Sequence, residues 1–380
     1  MSGEKWDPDV LLENYTPPRQ SDLVFLWDAV NCNPNGDPLS GDEPRRDPYT
    51  DQAQVSMYRL KRYLRDQMHD DERGILVKRP DQAGRQNPLD RPMAYRSIAD
   101  EVERTTGLDP AEFVDEDDVD EVVADDTTLT EWLRAFFLAA ADVRAFGAPV
   151  SVKDEDEADI NGIRAALPRR ITGPLQVHHA VSYNATAKLD EARKITTVFS
   201  SGSDDDDAEK KQGTFGEDYR LKYALFGANA TLDERTAPET LFDRDDAAWF
   251  DNAFWRALKN QTNTHSKVGQ EPRLYVRIEY VDGSQVGDLR RQFEVVNRDD
   301  RDDRELRSIT DLYLDASRFV DVLEHDSVTD RIAAVHLVAS ESLDISADGY
   351  QPSPGTGPHA LVDAARGAVG EERLDARTEI

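Results

Sequence analysis

The sequence predicts an α+β fold, with strands and helices mixed along the chain. Three observations predict it. Residues 22–30 form a short, nearly continuous apolar run ended by Asn, Pro and Gly, the pattern of a buried central strand. Residues 54–68 repeat Val55, Tyr58, Leu60, Tyr63, Leu64 and Met68 near helical spacing. Strand-like runs return at 175–183, 194–199, 219–228 and 273–281, with a helical segment at 247–260 between the last two.

The remaining segments follow in order. Residues 31–49 carry Pro34, Gly36, Pro38, Gly41, Pro44 and Pro48, too many breakers for a helix or a central strand, and predict a long loop. Residues 80–140 are polar, acidic and helical in pattern, an insertion whose clearest amphipathic piece is 131–143. Residues 200–211, with four aspartates in a row, read as a solvated loop tip. Short strands at 312–314 and 332–339 flank a helix at 316–324. Residues 350–380 read as a Pro/Gly-rich tail whose end is either a short helix or disordered. There is no internal repeat.

Composition narrows the setting. The 380 residues can bury a substantial core, yet they carry 77 acidic side chains against 46 Lys and Arg, a formal net charge of -31, with only eleven lysines. In dilute salt such charges repel one another, whereas concentrated cations screen them. The balance reads as adaptation to a salt-loaded cytoplasm. Cys32 is the only cysteine, which excludes an intrachain disulfide and a cysteine-rich zinc site. No apolar run approaches a membrane span, and the first residues lack the basic and apolar regions of a secretory signal. The phosphate-loop, dinucleotide, His-Glu-x-x-His and Gly-x-Ser-x-Gly patterns are all missing, so no cofactor or metal is expected. His178 and His179 are adjacent, would point to opposite faces of a strand, and make poor joint metal ligands.

Where one residue in five is acidic, a stretch without acids carries information. Residues 160–189 contain no Asp or Glu but do contain Arg164, Arg169, Arg170 and Lys188. A second such window is 252–270, with Arg256, Lys259, His265 and Lys267, and a third is 52–65, with Arg59, Lys61, Arg62 and Arg65. Burial explains missing acids in strands, but it does not explain the basic residues clustered on one helix. A polyanion is their natural partner. Upstream, the Asn- and Gly-rich loop 31–37 with Arg45 and Arg46 suits close approach to a phosphate chain.

Several segments together resemble the repeated backbone subunits of type I CRISPR Cascade, the Cas-seven branch of the RAMP superfamily, most closely the type I-B form of haloarchaea. They are Asn-Pro-Asn-Gly-Asp-Pro at 33–38, Arg-Asp-Pro at 46–48, Leu-Lys-Arg at 60–62, Phe-Gly at 146–147, Ile-Thr-Gly-Pro-Leu-Gln at 171–176, Gln-Gly-Thr-Phe-Gly-Glu-Asp-Tyr at 212–219 and Tyr-Ala-Leu-Phe at 223–226. The resemblance implies an RRM-like (ferredoxin-like) palm at 22–79, 142–183 and 219–340, inserted helical fingers at 80–141, and a β-hairpin thumb at 186–218. It implies a non-catalytic subunit that binds CRISPR guide RNA, lines up with further copies of itself and other Cascade subunits, and presents the guide to target DNA. Because guide sequences vary, such a protein must hold phosphates and leave base edges free. The resemblance places Asn35, Arg45, Arg46, Arg59, Lys61, Arg62, Arg65, Gln176 and Lys267 on the RNA, and Ile195, Thr197 and Phe199 on a wedge between bases. The aromatic signature of ordinary RRMs is missing, so stacking of bases on the sheet is not expected.

Two other readings stay open at this point. One is a type III-like RAMP endoribonuclease using Asp37, and the other is a halophilic scaffold whose acid-free windows are core and subunit contact.

Overall fold

The computed structural model describes residues 15–77, 138, 140–149, 170–187, 193–196, 215–261 and 266–379. Most of the expected insertion at 80–140, and the loop tip at 200–211, lie outside the described residues.

The apolar run near the start is the central strand β1, Ser21–Cys32, buried along almost its whole length. Alternate side chains serve opposite faces, as strand geometry requires. Leu23, Phe25 and Trp27 enter one core, and Val24 and Leu26 enter another. Around β1, the described strands are β2 (Gln52–Val55), β3 (Leu175–Val177), β4 (Ala180–Ala185), β5 (Leu221–Leu232), β6 (Gln270–Tyr280), β7 (Ile332–Ser340) and β8 (Leu374–Glu379). They form one eight-stranded sheet in the order β8-β7-β6-β1-β5-β4-β2, with β3 also pairing β5. Neighbours are antiparallel except β7 and β8.

Helices α1 (Met57–Asp70), α2 (Ala141–Phe146) and α3 (Arg244–Lys259) cover the first face. Leu60, Tyr63, Leu64 and Met68 of α1 meet Phe250, Phe254 and Trp255 of α3 in one cluster over Phe25 and Trp27. Phe25 stacks on Trp27 at 5.3 Å, and Trp27 on Phe226 at 5.1 Å, between ring centroids. Each large side chain removed from water here contributes about 1.5–3 kcal/mol.

Residues 281–331 and 341–370 cover the second face. They supply Leu289, Phe293, Leu312, Leu314, Phe319 and Leu323, with helix α4 (Ser317–Glu324), and Leu361, Ala365 and Val369 from helix α5 (His359–Val369). Asp22 of β1 anchors this layer, accepting hydrogen bonds from Val286 N at 2.8 Å, Gly287 N at 2.7 Å and the Tyr280 hydroxyl at 3.0 Å. The sheet is therefore sealed on both sides, which explains the uninterrupted apolar run of β1.

Several expectations change. The helix expected from residue 54 begins at Met57, because Gln52–Val55 pair with β4 and Ser56 caps the helix by accepting a hydrogen bond from Arg59 N. The residues read as a tail carry α5 and the edge strand β8: Pro and Gly mark its turns, while Leu361, Ala365 and Val369 recur at helical spacing and bury themselves. The strand expected at 312–314 is Leu312–Asp315, in a separate three-stranded sheet with Glu294–Asn297 and Ile345–Ser346. The strand expected at 194–199 appears as Arg193–Thr196, paired with Phe215–Asp218; residues 197–199 lie outside the described residues.

The edge strand β8 is clipped on by His336. Its Nε2 lies 3.1 Å from Glu279 Oε1, and its Nδ1 lies 3.4 Å from Asp375 Oδ2 and 3.7 Å from Asp251 Oδ2. Only the imidazolium offers a proton to carboxylates on both sides. Burial opposes that charge, but the hydrogen bond to Glu279 and the charges of Asp251 and Glu279 outweigh it and the repulsion of Arg277, raising the pKa. A raised histidine stabilises the fold fully below its unfolded value of about 6.5, and that contribution is lost as pH rises through the folded value. Hydrogen exchange at 374–379, corrected for intrinsic rate, should accelerate above neutral pH, and His336→Gln should remove this pH dependence.

Candidate nucleic-acid interface

The loop leaving β1 is tied down residue by residue. Asn33 Nδ2 donates to Asp42 O at 2.7 Å, and a Cβ on Gly36 would stand 2.8 Å from that same carbonyl. Asn35 Oδ1 accepts from both the backbone N and the hydroxyl of Ser56, each at 2.9 Å. The loop thus fixes where α1 starts. Pro34 O accepts from the Tyr63 hydroxyl at 3.0 Å and from Arg59 Nε at 3.3 Å, while Lys267 Nζ donates to Asn33 O. Asp37 Oδ1 accepts from Leu39 N at 3.1 Å and faces Arg45 at 3.5 Å, so the proposed cleaving carboxylate caps a turn.

A second constellation forms where α1 meets α2. Gly147 has φ +71, and a Cβ there would come within 2.1 Å of Ile171 O; one on Gly173 would come within 2.4 Å of Ala145 O. Two glycines therefore let the Phe-Gly and Ile-Thr-Gly motifs cross backbone to backbone, pairing Gly147–Pro149 with Arg170–Thr172. The crossing holds Phe146 against α1. The Lys61 ammonium lies 5.0 Å, and the Arg65 guanidinium 5.4 Å, from the centroid of its ring. Arg65 Nε donates to Asp142 Oδ2 at 2.9 Å, and Asp142, fully buried, also accepts from Leu76 N and Val77 N.

Lys61 has no such counter-charge. Among the described residues neither it nor exposed Arg170 makes an ion pair. Burial first, then the positive charges of Arg65 and Arg170, push the Lys61 pKa down to about 8. In a chain of net charge -31, the fold holds two neighbouring cations together, and no described carboxylate pairs with either.

The residues expected on RNA divide accordingly. Lys61 is available, Arg45 is exposed with a long ion pair to Asp37, and Arg62 is half-exposed, paired with Asp66 at 2.8 Å. Asn35, Arg59, Arg65 and Lys267 are committed to internal partners. Arg46 also turns inward, donating to Thr186 O at 3.1 Å and facing Asp51 at 3.5 Å. Gln176 is exposed on β3, its amide donating to Gly173 O at 2.6 Å. Ile195 lies in strand Arg193–Thr196; Thr197 and Phe199 lie outside the described residues. Arg170 and Phe146 were missed as site residues, although the acid-free window and the Phe-Gly motif pointed at them. In the 252–270 window, Arg256 is taken by Asp71 at 2.6 Å, so part of that window is internal packing.

No group of three or more His, Cys, Asp or Glu among the described residues is placed to hold a metal ion, and no described helix is long and apolar enough to cross a membrane.

Fold and site together define an α+β protein with an acid-free, cation-bearing face beside its first helix. The chain belongs to the CRISPR-associated protein Cas7 family, whose model matches residues 19–317. A Haloferax volcanii protein described as CRISPR-associated protein Cas7 is 37% identical over 332 residues, covering 86% of this chain and 88% of that one. Among solved structures, a chain of a CRISPR RNA-guided surveillance complex, pre-nicking, is 17% identical with a TM-score of 0.48, covering 92% of this chain and 100% of that chain. A chain of another CRISPR RNA-guided surveillance complex is 16% identical with a TM-score of 0.40, covering 91% and 99% respectively.

The two basic side chains over Phe146 should behave oppositely when truncated. Arg65→Ala strands the buried Asp142 carboxylate and should cost about 3 kcal/mol in urea unfolding at high KCl. Lys61→Ala removes an unpaired charge and should change stability by no more than about 1 kcal/mol.

Proposed function

We propose that this chain is a non-catalytic, guide-RNA-binding backbone subunit of a type I-B Cascade complex. It packs beside further copies of itself and other Cascade subunits, holding the guide for pairing with target DNA in antiviral defence in the cytoplasm. The observation that carries the reading is the Lys61–Arg170 pair beside Phe146, which makes no ion pair among the described residues of a strongly acidic protein. A phosphodiester supplies the missing negative charge without any contact to a base edge.

The topology supports the palm in this reading. With the edge strand β2, the crossing around α2 and short helices set aside, β1, α1, the β3/β4 strand, β5, α3 and β6 succeed one another as βαββαβ, and the four strands lie in the order β6-β1-β5-β4. That order matches the ferredoxin-like arrangement of an RRM and supports the palm reading. In ordinary RRMs the free sheet face stacks bases. Here α4, α5 and the 281–316 segment bury that face, which fits a protein that grips the backbone along α1. Fingers at 80–141 and a thumb around the Arg193–Thr196 and Phe215–Asp218 pair complete the proposed hand, with Ile195, Thr197 and Phe199 as its wedge. Arg45, Arg62 and Gln176 extend the phosphate contacts. Concentrated salt weakens counterion release, so hydrogen bonds and packing between copies carry more of the binding.

Phosphate binding requires protonated Lys61. Because its free pKa stands near 8, single-stranded RNA affinity at fixed salt should fall as pH rises from 7 to 9. Lys61→Arg, which stays charged, should flatten that fall. Lys61→Glu should weaken binding about 10-fold or more while leaving the unfolding midpoint nearly unchanged. Wild-type affinity in Lys61→Glu would contradict the reading.

A further inference from the structure

Along the acid-free window, the surface beyond Lys61 remains exposed. Arg170, Thr172, Gln176, His178 and His179 all face solvent. Burial therefore does not explain why these positions lack acids, and the surface of a chain with 77 carboxylates is elsewhere strongly acidic.

The two histidines reach this surface through an irregularity in the sheet. Val177 pairs with Ala230, and Val181 with Gly227. Three residues, 178–180, thus oppose the two at 228–229, which is a β-bulge. A regular strand would turn one histidine inward. The bulge instead exposes both, while His178 N still donates to Asn229 O at 2.9 Å and Ala180 fills the core. Two acids border this segment: Asp288 is held by Asn229 Nδ2 at 2.6 Å and by Arg291 Nε at 2.6 Å, and Asp233, whose N donates to Pro174 O, turns its carboxylate to Arg235 N and Thr236 Oγ1. Both carboxylates are thus hydrogen-bonded to their own neighbours.

We infer that this strip, from Arg170 to the bulged His178–His179 pair, is a second contact surface for the sugar-phosphate backbone of single-stranded nucleic acid. It shares Arg170 with the Lys61 site, and so rests on the function proposed above. Imidazole and amide N–H groups donate to phosphate oxygens or to a 2′-hydroxyl. Carboxylates at these positions would repel the strand, which accounts for their absence. The sequence at this surface remains unread, since the donors meet backbone rather than base edges.

The test is binding of a labelled single-stranded RNA to the full chain at fixed pH across a KCl series. His178→Glu/His179→Glu should lower affinity about 10-fold with an unchanged unfolding midpoint. His178→Lys/His179→Lys should tighten binding and steepen the log–log salt slope by about 0.7 for each added phosphate contact. Arg318→Glu, on α4 outside the acid-free window, should change affinity less than about 2-fold. If both histidine double variants bind as wild type while Lys61→Glu loses the RNA, the strip is overturned and the proposed function stands. If wild type itself binds no RNA, both fall together.

Discussion

Taking a charge out of water is tolerated only when a counter-charge or a set of hydrogen-bond donors goes with it, and the core of this protein is organised around that constraint. Arg144 of α2 grips Asp246 of α3 at 2.9 Å, and Arg73 reaches the same carboxylate at 2.9 Å. Arg65 joins α1 to Asp142 of α2, Arg277 joins β6 to Asp251 of α3 at 2.6 Å, and Arg298 closes the outer layer on Asp344 at 2.8 Å. These pairs fix how the helices sit on the sheet. They also explain why an arginine-rich, lysine-poor composition suits the chain: the planar guanidinium meets a carboxylate with two parallel donors and is shed of water more readily than an ammonium. Lys61 and Arg170 stand out because the fold leaves them outside this scheme.

The strands and helices that bury large side chains were legible in the sequence. Residues 22–30 and 332–339 fall within β1 and β7, and 247–260 runs along α3 to its C-cap Asn260, because apolar spacing decides them. Less local features were not legible. Arg65 looked free on its helix, since Asp142, its partner, lies 77 residues away in sequence. Arg46 looked like a phosphate ligand in a loop, but Thr186 O, far along the chain, takes it inward. The outer layer hid for a related reason. Its contacts come from short, irregular pieces between 281 and 370, pinned by single polar anchors such as Asp22 and Asp344 rather than by a periodic face. The bulge after Val177 depends on register between strands, which adjacent residues do not display.

Covering both faces of the sheet has a consequence for how a nucleic-acid strand is held. With the second face buried under α4 and α5, bases have no platform on the sheet, and in the proposed reading contact falls to α1, the Phe146 crossing and the exposed acid-free strip. A backbone-gripping surface of this kind is indifferent to sequence, which is what a guide of variable sequence demands. On that reading the surface carries few acids because each would repel the strand, whereas the rest of the exterior is free to hold hydrated carboxylates.

The most direct test of this account is to purify the protein in concentrated potassium chloride from cells that express CRISPR RNA, and to sequence any RNA that accompanies it. The account predicts short RNAs with a constant, repeat-derived end and varied interiors. Protein free of nucleic acid from those cells, or bound to RNAs without a shared end, would contradict it.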